Sequence, residues 1–369
     1  FHTESWQGKK DTQEDRCALS HLHPPSTSQR LTPCHPRLQR FIQGVRMGKL
    51  GTAFGVFDGH GGVLAAEYAT KHLTNNVLRM HQQQKGGGSR NRDAVDARRT
   101  MHALQEAFDV TDRELLQLAR RKNFSDGTTA LLLLFAGTEL APDFDGAPAA
   151  AETALTLFTA HVGDCRAVLC RGCAAVRLTN DHRPDRKDEQ RRIREAGGGV
   201  FQVNGIWRCC SAAGAAKAVD ARAGFGENDT HLYLSCSRSL GDPELKINAG
   251  KPILSSLPEV SQHLLQPDDL FVVVACDGVW DVLTDQQAVD IVLRNWGDPA
   301  AAASTVVRTA LSSGSGDNVT AQVVMFSWKA QLGAAMAKKR DGERAAEEAE
   351  ARKPKPKVEV DEGDVDMFG

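Results

Sequence analysis

The chain has 369 residues, of which 41% are hydrophobic and 25% are charged. These proportions are typical of a globular protein and exclude a chain that is disordered throughout. Its 45 Lys and Arg residues nearly balance its 47 Asp and Glu residues, which argues against a protein that binds nucleic acid through overall positive charge. The sequence contains no run of about 18 apolar residues, so it predicts no membrane-spanning helix.

Short runs rich in Val, Leu, Phe and Thr, bounded by Gly, Asp or Asn, predict buried strands. In chain order, these strands cover residues 51–57, 128–135, 154–162, 167–170, 270–275 and 319–326. Apolar residues at helical spacing predict helices over residues 63–80, 100–121, 185–196 and 285–296. Because the strands occur in adjacent runs rather than in strict alternation with helices, we predict an α+β fold with packed antiparallel sheets.

Several stretches have the composition of loops, with many Pro, Gly, Ala or charged residues. We predict that they are solvated insertions near residues 21–49, 82–99, 139–151 and 211–229. From Gly333 onward, basic and acidic runs follow one another, so residues 333–369 are predicted to form a charged, solvated tail that is partly helical and then disordered. A solvated charge run is favoured over a basic localisation signal in this tail.

The nine cysteines are odd in number and irregular in spacing, and no secretory-signal pattern is present. Free thiols in a reducing compartment are therefore expected, which favours a cytoplasmic or nuclear protein. Cys170 and Cys173 form a C-x-x-C motif without a second ligand pair at zinc spacing. Gly172 between them predicts the tip of a β-hairpin rather than a zinc or redox site.

Acidic residues recur at the edges of the predicted strands. The motifs that share this feature are Gln13–Asp15, Asp58–Gly62, Gly163–Arg166, Asp277–Asp281 and Gly316–Thr320. A single Asp in such a position usually forms a turn, but five such motifs in one fold are hard to explain in that way. Carboxylates that converge raise each other's pKa unless a cation neutralises them. Ligand sets made only of oxygen favour Mg²⁺ or Mn²⁺, so we hypothesise a divalent metal site.

These motifs, in this order, resemble those of the metal-dependent serine/threonine protein phosphatases of type 2C, the PPM family. The matching segments run to about Trp328. They are QG and ED within 7–15, FDGHGG at 57–62, DGTTA at 126–130, VGDCRAVL at 162–169, LTNDHRP at 178–184, EQRRIREAGG at 189–198, SRSLGD at 237–242, DGVWDV at 277–282 and DNVT at 317–320. A lone DGHG would be weak evidence, whereas nine motifs in register are specific.

The resemblance implies one phosphatase domain over residues 1–328, built as a four-layer α-β-β-α sandwich of two antiparallel sheets flanked by helices. It also implies a two-metal site at one edge of the sheets. In that site Asp58 would bridge both ions, and the Gly59 carbonyl would bind one of them. Asp277 and Asp317 would complete the ligand set.

Peripheral ligands at this site are also implied by the resemblance. Glu14 would act mostly through metal-bound water, with Asp15 beside it. Asp164 and Asp281, together with Asp277, match positions that hold a weaker third metal ion in some relatives.

The implied reaction is hydrolysis of phosphoserine and phosphothreonine by a hydroxide that bridges the two ions, without a covalent intermediate. His60 would be the general acid for the leaving alkoxide. Lys10 stands where many relatives carry Arg. We predict weaker phosphate binding, because Lys cannot bind two phosphate oxygens at once as Arg can. The substrates would be phosphoproteins, and we expect a monomer without an obligatory regulatory subunit.

Two other functions stay open at this point. A pseudophosphatase would regulate partners through the same fold; the Lys10 substitution favours it, whereas the presence of Asp58, Asp277 and Asp317 favours an active enzyme. A nucleic-acid binder would rest only on the basic segment 21–49, and the balanced charge of the rest of the chain disfavours it.

Several other motif residues are predicted to be structural. Arg166 is expected to form ion pairs, and His182 is expected to organise a turn. Trp280 and Trp296 should pack in the core or between helices. Cys276 should be a buried strand residue rather than a nucleophile.

Overall fold

The computed structural model describes residues 1–6, 40–84, 96–136, 155–203, 205–220, 232–248, 250–326 and 329–351. Its strands are β1 (His2–Trp6), β2 (Arg40–Arg46), β3 (Thr52–Phe57), β4 (Gly59–His60), β5 (Gly127–Thr128), β6 (Ala130–Ala136), β7 (Thr156–Val162), β8 (Arg166–Arg171), β9 (Ala174–Arg177), β10 (Gly199–Val203), β11 (Ile206–Cys210), β12 (Leu240–Gly241), β13 (Glu259–Leu264), β14 (Asp269–Ala275) and β15 (Val319–Met325). Its helices are α1 (Leu64–Gln83), α2 (Ala97–Lys122), α3 (Lys187–Glu195), α4 (Ala212–Asp220), α5 (Asp277–Trp280), α6 (Asp285–Arg294), α7 (Pro299–Ser312) and α8 (Ala330–Ala351).

Two five-stranded antiparallel sheets face each other in the centre of the fold. One sheet has the order β1-β15-β14-β8-β9, and the other has the order β13-β7-β6-β3-β2. Phe54, Leu131 and Val272 are buried together between the sheets. Because the outer faces of the central strands are buried as well, these strands are apolar at almost every position and show no alternation with polar residues.

Helices cover both outer faces of this pair of sheets. Leu73 of α1 and Phe108 of α2 share one buried cluster with Leu132 of β6. Val292 of α6 shares a second cluster with Val273 of β14, and α7 packs on the same face. The fold is therefore the four-layer α-β-β-α sandwich, and the predicted fold class is confirmed.

The start of α6 is encoded locally. The Thr284 hydroxyl accepts a hydrogen bond from the Gln287 backbone N–H, and the Gln287 side chain accepts one from the Thr284 backbone N–H. This reciprocal capping box satisfies N–H groups that a helix start leaves without partners. The helix predicted over residues 285–296 thus begins where the sequence places it.

Some elements lie where the sequence predicts loops. β2 falls inside the predicted insertion 21–49, yet it pairs with β3 and extends the sheet. α4 falls inside the predicted insertion 211–229. The predicted insertion 139–151 and parts of the other insertions lie outside the described residues. The composition of these stretches shows that they are rich in polar or small residues. It does not show which neighbouring strand or helix a stretch pairs with or packs against.

The start of the charged tail is the helix α8, which packs on the domain. Leu332 and Met336 lie against the buried cluster around α6, and the Arg340 guanidinium pairs with Asp290 at 3.0 Å. This part of the tail is thus helical, as predicted; one side of the helix packs on the domain, while most of its residues up to 346 are exposed. Residues 352–369 lie outside the described residues. No helix of the described chain is both long and apolar enough to cross a membrane.

Candidate active site

Asp58 lies at the point where β3 leaves the sheet. Its backbone N–H donates to the Thr129 hydroxyl at 3.1 Å, and its carbonyl accepts from the Thr129 N–H at 2.8 Å. The Thr129 hydroxyl in turn lies 3.2 Å from the Cys165 Sγ. These contacts join three of the sequence motifs and fix the backbone that carries Asp58.

Asp277 and Asp317 come together because β14 and β15 are neighbours in one sheet. Asp277 opens α5 directly after β14, and Asp317 lies just before β15. A Cβ atom on Gly278 would lie 2.1 Å from the Asn318 carbonyl oxygen. Only glycine therefore lets the two loops approach this closely, which explains the DG pair after a buried strand.

The predicted acids converge on Asp277. Burial raises the pKa of Asp277 well above its ordinary value, and repulsion from the neighbouring carboxylates raises it further; these neighbours are Asp164, Asp58, Asp317 and Asp281. We call these five residues the carboxylate cluster. One Asp277 carboxylate oxygen is buried and accepts no hydrogen bond from the described part of the chain. Such an oxygen fits a ligand for a cation, which would remove the cost of its burial.

The chemistry of the cluster favours a hard cation. Ligand atoms of Asp58, Asp277 and Cys276 lie within 4.8 Å of one another. The Cys276 thiol donates to the Asn318 carbonyl at 3.3 Å, and its sulfur accepts from the Thr320 N–H at 3.2 Å. Burial raises the pKa of the Cys276 thiol, and its sulfur already takes part in these two hydrogen bonds, so the oxygens of Asp58 and Asp277 are the better candidate ligands. Oxygen ligands fit Mg²⁺ or Mn²⁺, and Cys276 is the buried residue that was predicted.

Arg183 lies at one side of the carboxylate cluster. Its guanidinium forms an ion pair with Asp281. Burial would lower the pKa of Arg183, but attraction from Asp164, Asp281 and Asp277 outweighs it and raises the pKa. Burial also raises the pKa of Asp164 to about 6, against the attraction of Arg183. The Arg183 guanidinium thus already places a positive charge near Asp164 and Asp281, the two acids predicted for a weaker third metal ion.

His60 forms a buried pair with a residue that the sequence did not single out. Its Nε2 lies 2.9 and 3.0 Å from the two carboxylate oxygens of Asp242. The signal for Asp242 is its place at the end of the SRSLGD motif, but nothing in that motif shows which residue it meets. Lys10, Glu14 and Asp15 lie outside the described residues, so their roles stay predictions.

A second group of possible ligands contains His161, His182 and Glu259, whose ligand atoms also lie within 4.8 Å of one another. Here the Glu259 carboxylate forms an ion pair with Arg186, and Arg238 lies 3.8 Å away. Burial lowers the pKa of His182 to about 4, so its ring is neutral at physiological pH. Because guanidinium groups already neutralise the carboxylate, this group is a poorer cation site than the carboxylate cluster.

The residues predicted to be structural have the expected contacts. The Arg166 guanidinium pairs with Asp181 and with Asp285 at 2.7 Å, and it lies 5.1 Å from the centre of the Trp280 ring. The His182 ring accepts a hydrogen bond from the Gly163 N–H at 3.2 Å, which ties two motif loops together. β8 and β9 form the hairpin predicted around the C-x-x-C motif, and no disulfide joins the cysteines of the described ranges.

The chain is similar to known proteins over most of its length. The family model for protein phosphatase 2C matches residues 35–319. The Arabidopsis thaliana protein named Probable protein phosphatase 2C 59 is 32% identical over 285 residues, which are 77% of this chain and 73% of that protein. Probable protein phosphatase 2C 45 of Oryza sativa subsp. japonica is 33% identical over 279 residues, which are 76% of this chain and 78% of that protein.

A solved structure, the serine-threonine phosphatase 2C from Toxoplasma gondii, has the same fold with a TM-score of 0.63 and 21% identity. The match covers 88% of this chain and 94% of that one. The family match places the chain among the metal-dependent phosphoric monoester hydrolases. The chain belongs to the protein phosphatase 2C family and is a protein serine/threonine phosphatase.

Proposed function

We propose that the chain hydrolyses phosphoserine and phosphothreonine in proteins with two Mg²⁺ or Mn²⁺ ions, without a covalent intermediate. The ligands would be the Asp58 and Asp277 carboxylates, the Gly59 carbonyl and the Asp317 carboxylate. The observation that carries this proposal is the geometry at Asp277: its ligand atom lies within 4.8 Å of that of Asp58, and one of its buried oxygens accepts no hydrogen bond from the described part of the chain. When bound, the ions supply a water of lowered pKa and positive charge for the phosphoryl oxygens.

The charge of the carboxylate cluster supports the binding of divalent cations. When all five carboxylates are ionised, Arg183 offsets one negative charge among the described residues. The remaining negative charge would be neutralised by the bound ions. We therefore expect the position formed by Asp164 and Asp281 to take a third ion weakly, because Arg183 competes for it.

Side chains of the protein would complete the reaction. His60 would protonate the oxygen of serine or threonine as the bond to phosphorus breaks, since an alkoxide is a poor leaving group at neutral pH. Lys10 would contribute one positive charge to the phosphate. A monomeric state and a cytoplasmic or nuclear location stay predictions from the sequence.

The test is hydrolysis of a phosphothreonine peptide by the full chain in Mn²⁺, in Mg²⁺ and in EDTA. Asp58→Asn and Asp277→Asn remove one ligand each. The matched control is Asp109→Asn, because Asp109 is exposed on α2 and pairs only with Arg113 among the ion pairs of the described chain. We expect activity in Mn²⁺ or Mg²⁺ for the wild type and the control, and its loss in EDTA and in both ligand variants.

Two results would overturn the proposal. Hydrolysis that survives EDTA and both ligand substitutions would contradict the two-metal mechanism. A folded wild-type chain that binds Mn²⁺ but hydrolyses no phosphopeptide would instead favour the pseudophosphatase.

A further inference from the structure

We propose that Asp242 is a positioning residue for the phosphatase reaction, which holds the His60 ring in the orientation from which His60 protonates the leaving oxygen. This inference rests on the proposed function. The two residues lie 182 positions apart in the sequence, so the fold alone brings them together.

The geometry of the pair fixes the ring. Asp242 is fully buried and His60 is 7% exposed. Both Asp242 oxygens lie within 3.0 Å of one ring nitrogen, Nε2. Because a carboxylate can only accept, Nε2 carries a hydrogen and donates it. We assign the transferred proton to the second ring nitrogen, Nδ1, of the doubly protonated, positively charged ring: the Nδ1–H bond breaks, an O–H bond forms on the leaving oxygen, and the neutral ring stays bonded to Asp242 through Nε2–H.

Asp242 itself is held in an uncommon backbone conformation. Its φ angle of 53° lies in the left-handed region, which most residues with a side chain avoid. The Ser239 hydroxyl donates to one Asp242 oxygen, and the Asp242 N–H donates to the Asp126 carbonyl at 3.1 Å. These bonds fix the direction of the carboxylate toward His60.

Space for the pair comes from Gly127 on the neighbouring strand β5. A Cβ atom at Gly127 would lie 2.0 Å from one Asp242 oxygen and 2.3 Å from the His60 Nε2. The short sheet β12-β5-β4 places this glycine directly against both side chains. The glycine of the DGTTA motif is therefore needed for the hydrogen bond itself.

A second buried ion pair supports the backbone next to Asp242. Asp112 of α2 accepts from the Gly241 N–H at 2.8 Å and from the Lys246 Nζ at 2.7 Å. Lys246 also donates to the Ser239 carbonyl at 2.8 Å. These hydrogen bonds hold the backbone on both sides of Asp242 in place, as expected for a residue that orients a catalytic side chain.

The test compares two leaving groups. A phosphothreonine peptide releases an alkoxide that needs a proton, whereas p-nitrophenyl phosphate releases a phenolate that leaves without one. Asp242→Asn keeps the shape of the side chain but presents an amide to His60. We expect kcat for the peptide to fall by about tenfold to a hundredfold with little change in KM, and kcat for p-nitrophenyl phosphate to fall far less.

A double-mutant cycle shows whether Asp242 acts through His60. We expect His60→Ala to produce the same difference between substrates, and Asp242→Asn to add little to it in the His60→Ala background. Equal losses on both substrates, or fully additive losses in the double variant, would overturn the inference and leave Asp242 a structural residue.

Two controls keep the test decisive. If Asp242→Asn does not fold, Ser239→Ala removes one bond to the same carboxylate and should give a smaller difference of the same kind; no difference in that variant would also overturn the inference. A wild-type chain that hydrolyses neither substrate would contradict the proposed function, whereas an active wild type without the substrate difference would contradict only the role of Asp242.

Discussion

Buried acids behave in opposite ways in two regions of the molecule. In the carboxylate cluster, burial and mutual repulsion raise the pKa of Asp277. Around Glu189, burial also acts to raise the pKa, but hydrogen bonds from Arg238 and Arg192 outweigh it and lower the pKa to about 2. These bonds measure 2.7 and 2.9 Å, and the Ser237 hydroxyl adds a third at 2.7 Å.

The difference shows what distinguishes a binding site from a structural ion pair. Both regions carry buried carboxylates. Of the two, only the Glu189 region has enough guanidinium groups to compensate the negative charge of its carboxylate. Glu189 therefore stabilises the fold, whereas Asp277 costs stability, and the proposed cation would remove that cost. Substitutions that remove the charge should have opposite effects in the two regions.

The largest expected effect is that of Asp277→Asn on activity. Loss of a ligand should reduce phosphopeptide hydrolysis in Mn²⁺ by more than about a hundredfold, since even residues that only support metal ligands cost up to that factor. At pH 7.5 the metal-free variant should unfold at the same or a higher temperature than the wild type, because Asn resembles the uncharged acid that the fold prefers. Thermal unfolding in EDTA checks the second part, and a clearly lower melting temperature would contradict it.

Glu189→Gln should have the opposite effect on stability. Because the folded pKa of about 2 lies below the ordinary 4.5, Glu189 contributes stability above pH 4.5, which is lost as the pH falls toward 2. We expect the variant to lose about 3 kcal/mol of unfolding free energy at pH 7. Urea unfolding of the metal-free protein at several pH values tests this, and a loss that does not shrink at acid pH would count against it.

Arg183→Met should leave the carboxylate cluster with one fewer positive charge beside it. Without the guanidinium, Asp164 and Asp281 lose their cation, so an additional Mn²⁺ ion per chain should bind. Equilibrium dialysis at millimolar Mn²⁺ measures the number bound. An unchanged number would show that Arg183 does not compete with a third ion.

Lys10→Arg should have the smallest effect. A guanidinium at this position should lower KM for a phosphothreonine peptide by about fivefold, or about 1 kcal/mol, because Arg can bind two phosphate oxygens at once. No change in KM, together with an Lys10→Ala variant of wild-type KM, would remove Lys10 from the phosphate site.

The positions of the central acids in the fold were easier to predict from the sequence than their surroundings. Asp58 and Asp277 were predictable because each follows a buried strand and precedes a glycine, a pattern visible over a few residues. The contact of Asp242 with His60 and the approach of Arg183 to Asp164 depend on packing between distant segments, which local pattern does not encode. The packing of α8 could not be predicted from the local pattern either, because its few apolar residues lie in a strongly charged segment.

The most direct test of the central claim is Mn²⁺ binding to the full chain at pH 7.5, measured by titration calorimetry. The carboxylate cluster predicts two tightly bound ions for the wild type and for the surface control Asp109→Asn, and a large loss of affinity for Asp277→Asn. A wild type that binds no Mn²⁺, or an Asp277→Asn variant that binds it as the wild type does, would contradict the assignment of this cluster as the metal centre.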